Sequence, residues 1–167
     1  MDIELPRDFR ADLVLRYLGR DSDSLCERVD GNVITTAAVT ITLTKRRAHV
    51  EGEVAIARRL LGLHQDPSPF EQAFPELVQG HEGARLPQTA TVWESLMWAI
   101  VGQQVNLPFA YRLRRVLVEL RGREVENGLR AHPTPVDIAQ LDVPDLTARQ
   151  FSRSKAQYVI DAARLIA

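Results

Sequence analysis

Few side chains in this sequence are arranged to do covalent chemistry. Its four histidines, His49, His64, His81 and His132, lie in strand and loop contexts with no nucleophile motif beside them, so a Ser/His/Asp arrangement has no support. They read as surface residues. The single cysteine, Cys26, can form neither an internal disulfide nor a thiolate metal cluster, so it reads as inert and no metal site is expected. The late carboxylates Asp137, Asp142, Asp145 and Asp161 occupy helix-start, loop or helix-face contexts and match no catalytic position. Two adjacent amides, Gln103 and Gln104, stand between Gly102 and Asn106. On residue type alone such a pair caps helix ends through backbone bonds.

The elements that would position these residues follow from periodicity. Asp8 is a candidate cap for a helix over residues 9–19, with Leu13, Val14, Tyr17 and Leu18 at helical spacing and Gly19 as its stop. Residues 24–29, 32–39, 40–43 and 48–53 are rich in Val, Ile and Thr and read as an antiparallel meander. The pair Asp30-Gly31 is a hairpin signal, because glycine accepts positive φ at no steric cost. A second helix is expected over 53–63, covering the sheet. Residues 64–90 hold Pro67, Pro69, Pro75 and Pro87 and read as short helical turns and a linker, with a domain boundary near Arg85.

The rest is helical in period. Trp93, Leu96, Met97, Ile100 and Val101 form one apolar stripe, and a helix over 106–121, capped by Asn106, turns Phe109, Leu113, Val116, Leu117 and Leu120 inward. Trp93 reads as core; five residues on, Trp98 falls on another side of the helix and is left unassigned. Thr134-Pro135-Val136-Asp137 predicts a short capped helix to about Leu141. Ser152 is the cap of a last helix carrying Ala156, Val159, Ile160, Ala163 and Ile166.

Composition narrows the class further. With 45% hydrophobic and 26% charged residues in 167, the chain reads as globular, of one domain or two small ones. No apolar run reaches membrane-spanning length and the acidic start lacks the basic region of a signal peptide, so a cytoplasmic location and no membrane partner are expected. The net charge of −1 hides an asymmetry: residues 1–102 hold 11 Lys/Arg against 15 Asp/Glu, and residues 103–167 hold 10 against 7. A basic late segment permits a nucleic-acid partner, and a solvated helix face produces the same imbalance.

Residues 86–106, above all Ala99-Ile100-Val101-Gly102-Gln103-Gln104-Val105-Asn106, resemble the 3-methyladenine DNA glycosylase II family of helix-hairpin-helix glycosylases. Further segments match in order: Tyr17-Leu18-Gly19-Arg20-Asp21, Leu60-Leu61-Gly62-Leu63 followed by Asp66-Pro67, Pro133-Thr134-Pro135, and Ser154-Lys155-Ala156 leading to Tyr158. The resemblance implies an α+β fold: an N-terminal antiparallel sheet with helices, like a repeat of the TATA-binding protein, over residues 1–85. The first helices of an all-α helix-hairpin-helix glycosylase domain then follow over residues 86–167. It implies an enzyme that flips an alkylated purine such as 3-methyladenine out of duplex DNA and cleaves its N-glycosidic bond without a cofactor.

Three positions carry implied roles. Gln104 stands where the family places the residue that fills the space left by the flipped nucleotide, and Gln103 would lie against the minor groove. Tyr17 aligns with an aromatic that lines the base pocket, the other reading being a core tyrosine. Arg112, Arg114 and Arg115 either reach phosphates or are solvated. The family's Gly-rich hairpin and catalytic aspartate come after the segment matching residues 152–166, so both are expected to be absent from this chain and the chain alone to be inactive. The expected partners are double-stranded DNA with alkylated bases and, for the incomplete helical domain, a second chain or a second copy. The alternative reading is a non-enzymatic DNA-binding or damage-recognition module, and a third is an interaction protein with no DNA role.

Overall fold

The computed structural model describes residues 1–167, which form two compact units: Met1–Ser22 with Glu27–Ala90, and Asp23–Cys26 with Thr91–Ala167. The first is α+β and the second is helical, as the sequence predicts.

In the first unit, strands β1 (Asp2–Glu4), β2 (Glu27–Asp30), β3 (Val33–Thr36), β4 (Val39–Leu43) and β5 (Arg47–Gly52) make one antiparallel sheet in the order β1-β5-β4-β3-β2. The register aligns Ile34 with Ile41 and Ile41 with Val50, and likewise Ile3 with Ala48 and Ala48 with Leu43. Two apolar rows therefore share one face, because side chains alternate along a strand. Helices α1 (Ala11–Leu18) and α2 (Val54–Leu60) supply Val14, Leu18, Ala57 and Leu60 to the same core. The predicted turn is present: Asp30 pairs with Val33, and Gly31 between them has φ +56°.

Three details differ from the sequence reading. The strand β1 is not expected from the sequence; it is a short edge held by pairing with β5 and by Ile3 in the core. The strand predicted over 32–39 ends at Thr36, whose hydroxyl accepts from the amides of Ala38 and Val39 and so turns the chain into β4. Asp8 does not cap α1. That helix begins after Arg10 without a side-chain cap, and Asp8 instead lies 3.3 Å from the guanidinium of buried Arg85. The proline-rich segment folds into two short helices, α3 (Ser68–Ala73) and α4 (Pro75–Val78).

The second unit contains α5 (Val92–Gly102), α6 (Leu107–Arg121), α7 (Pro135–Ala139), α8 (Val143–Thr147) and α9 (Arg153–Ile166). Its helix starts are written in the sequence: Thr91, Asn106, Thr134 and Ser152 each accept a hydrogen bond from the backbone N–H three residues on. Asp137 returns the bond to the Thr134 amide at 2.8 Å, completing a capping box. The helix α8 was not predicted; the Asp145 carboxylate accepts from the Asp142 amide and closes its first turn. The core joins Trp93, Met97 and Val101 of α5 with Leu113 and Leu117 of α6, Ile138 of α7, and Ala156, Val159, Ile160 and Ala163 of α9. Leu96 and Ile166, expected to face inward, are exposed. No helix of the chain is long and apolar enough to cross a membrane.

Candidate functional site

The segment joining α5 to α6 holds one of the helical unit's two left-handed non-glycine residues, the other being Gln150 at φ +71°. Helix α5 ends at Gly102; Gln103 leaves it in an extended conformation with φ −63° and ψ 130°, and Gln104 follows with φ +55°. A non-glycine residue in the left-handed region costs on the order of 1 kcal/mol and persists only where its surroundings impose it. Both glutamines are exposed. Gln103 is the C-terminal cap of α5, its backbone N–H donating to the Ile100 carbonyl at 3.3 Å, whereas Gln104 caps neither helix. Asn106 Oδ1 takes the Phe109 amide at the start of α6, and Lys155 serves the C-terminal end of α5.

The second contact spans the unit. Lys155 Nζ donates to the carbonyls of Val101 at 2.7 Å, Gln103 at 2.8 Å and Ile100 at 3.3 Å, so all three ammonium hydrogens find oxygens. These carbonyls belong to the negative end of the α5 dipole, where a cation is favoured. Burial holds the Lys155 ammonium below the usual lysine range. The segment Ser154-Lys155-Ala156 was singled out in the sequence without a role; the ammonium-to-carbonyl contact has no local signature because its partners lie 52 to 55 residues away.

The arginines of α6 divide. Arg114 is consumed internally: Nη2 lies 2.8 Å from Glu94 Oε1, both side chains are about a tenth exposed (13% and 11%), and its guanidinium is 5.9 Å from the Trp98 ring centre. Trp98 is thereby assigned, stacked on Tyr111 with centroids 5.5 Å apart and planes 16° apart. Arg115 pairs with Asp23 at 3.5 Å. Arg112 is exposed and donates to Gln150 Oε1 at 3.2 Å, on the flank of the Gln103-Gln104 turn's following helix. Trp93, read as core, is buried and donates its indole N–H to the Pro133 carbonyl at 2.8 Å.

In the first unit, Tyr17 lies on α1 with its side chain exposed, and the Arg20 guanidinium covers its ring at 3.7 Å. The reading of Tyr17 as a core residue is therefore incorrect. Of the histidines, His49, His64 and His81 are exposed and His132 is half-buried, none beside a nucleophile; Cys26 is buried. The second unit's aspartates have structural partners: Asp137 and Asp145 complete helix starts, Asp142 lies 3.5 Å from Arg164, and Asp161 accepts from Gln157 at 2.8 Å.

Comparison with known proteins gives this geometry its context. Residues 97–167, which include the turn and its lysine brace, match the HhH-GPD superfamily of base excision DNA repair proteins. The putative DNA-3-methyladenine glycosylase YfjP of Bacillus subtilis is 41% identical over 91 residues, 54% of this chain and 31% of that protein. A DNA-3-methyladenine glycosylase of the same bacterium is 27% identical over 197 aligned positions, covering 99% of this chain and 65% of its own length. Among solved structures, the 3-methyladenine DNA glycosylase of Archaeoglobus fulgidus has the same fold, with a TM-score of 0.79 at 23% identity over 98% of this chain and 66% of that one. The chain spans about a third of one curated relative and just under two thirds of the other. Residues 97–167 thus match the helix-hairpin-helix glycosylase superfamily, and the fold of its solved members extends along nearly the whole chain.

Proposed function

We propose that this chain is the lesion-probing part of a base-excision glycosylase for alkylated purines such as 3-methyladenine. The observation that carries the reading is the exposed Gln103-Gln104 turn, raised between two capped helices with Gln104 held at φ +55°. A side chain that enters duplex DNA must be presented on rigid backbone, since ordering a mobile loop on binding consumes binding energy. Glutamine has the length to occupy a vacated base position and an amide that hydrogen-bonds base edges. An alkylated purine carries positive charge and is a good leaving group, so stacking and one carboxylate suffice for its excision.

That carboxylate is proposed to come from outside these 167 residues. Its support is the structural employment of Asp137, Asp142, Asp145 and Asp161. The test is release of methylated purines from alkylated duplex DNA by the chain alone, and by the chain mixed with a polypeptide that supplies a hairpin and aspartate. No release alone and release on mixing is the expected result. Release by the chain alone overturns the assignment of the aspartates, and no release in either case favours a non-enzymatic damage-recognition module.

A further inference from the structure

We propose that Lys155 is a positioning residue for the Gln103-Gln104 turn. The inference rests on the probing role assigned to that turn, and its physical part stands on the free protein. The backbone leaving α5 has two soft points, the extended exit at Gln103 and the left-handed Gln104. Asn106 fixes the chain after them by capping α6. Before them, the Gln103 amide returns to the Ile100 carbonyl at 3.3 Å, and its carbonyl, the next link toward Gln104, is held by Lys155 Nζ at 2.8 Å with the Val101 carbonyl at 2.7 Å as a second anchor. One ammonium thus bridges the last turn of the helix and the first residue outside it.

The lysine is itself fixed. Its backbone N–H donates to the capping Ser152 hydroxyl at 3.2 Å, and the next residue, Ala156, is fully buried against the helical core. The ammonium therefore approaches the carbonyls from a rigid platform. Charge-assisted bonds of this kind are about twice as strong as neutral ones, enough to offset a left-handed glutamine. Removing the ammonium leaves the carbonyls and the helix dipole in place but frees the peptide between Gln103 and Gln104 to rotate, so that Gln104 no longer holds one orientation.

The experiment has two readouts on the full 167-residue chain. In the free protein, backbone amide order parameters at residues 103–105 are expected to fall from about 0.85 to below about 0.6 in Lys155→Met, with those of α6 and α9 unchanged. Lys155→Arg, which keeps the charge, is expected to restore most of the order. On DNA, the probe is a duplex with a tetrahydrofuran abasic analogue opposite 2-aminopurine, whose fluorescence rises when it is unstacked. Wild type is expected to raise the signal, while Lys155→Met and Gln104→Ala each lose most of the rise and the double variant loses no more than either alone.

Unchanged order parameters in Lys155→Met, or additive losses in the double variant, overturn the proposal. If wild type leaves the fluorescence unchanged while Lys155→Met still loosens residues 103–105, the probing role of the turn fails and the brace stands as structure only, which also overturns the proposal. If Lys155→Met does not fold, Lys155→Gln, one bond too short to reach both anchors, takes its place under the same criteria.

Discussion

Replacing Arg114 with methionine separates two uses of an arginine on α6. If Arg114 reached DNA phosphate, the change would leave the fold alone and lower the salt slope of duplex binding by about one. The structure assigns it to Glu94, at 2.8 Å with each side chain only about a tenth exposed (13% and 11%). Removing one member of a fully buried pair costs about 3–5 kcal/mol, because the other charge remains desolvated; the residual exposure here reduces the expected loss to about 2–3 kcal/mol. Replacing both, as Arg114→Met with Glu94→Leu, removes the stranded charge and is expected to return stability to within about 1 kcal/mol of wild type. The assay is urea unfolding followed by tryptophan fluorescence. Both tryptophans, Trp93 and Trp98, lie in the helical unit, so the signal reports that unit alone. The reasoning is refuted if Arg114→Met costs less than about 0.5 kcal/mol, the value of an exposed pair, while the salt slope falls by about one.

Two further outcomes use the same assay. Trp93→Phe removes the indole donor from the Pro133 carbonyl and leaves it with the His132 Nδ1 contact at 3.1 Å, so the helical unit is expected to lose about 1 kcal/mol, the value of one hydrogen bond; no loss of urea midpoint contradicts the 2.8 Å bond. The Thr134 hydroxyl and amide hold the Asp137 carboxyl below the usual carboxylate range. Its folded value is depressed, so its contribution is fully present above the ordinary carboxylate value of about 3.9 and is lost as pH falls through the lower folded value. The urea midpoint of the helical unit should fall on acidification below about pH 4, and Asp137→Asn should start lower at neutral pH and fall less steeply; parallel acid limbs contradict the capping role.

Most local signals are legible in the sequence, the start of α8 at Asp142 excepted, and long-range ones are not. Asn106, Thr134 and Ser152 act as caps because a cap is decided within three residues, and Asp30-Gly31 turns the chain for the same reason. Asp8 precedes a periodic helix as a cap does, yet its carboxylate answers to Arg85, 77 residues on. Strand β1 has too few residues to show an alternation and exists through β5. The turn itself was recognised from Gln103 and Gln104, whereas its φ and its lysine brace were not, because the carbonyls that Lys155 binds have no side-chain identity. The internal use of Arg114 depends on Glu94, a helix away, and on residue type alone it is indistinguishable from Arg112 and Arg115.

The most direct test of the account is duplex binding by the 167-residue chain, measured by anisotropy on intact DNA and on DNA carrying an abasic analogue, for wild type and for Gln103→Ala/Gln104→Ala. The account predicts tighter, salt-dependent binding to the abasic duplex and a loss of about tenfold in that preference in the variant, with its urea midpoint unchanged. Equal preference for the abasic duplex in wild type and variant would contradict the claim that this turn probes DNA.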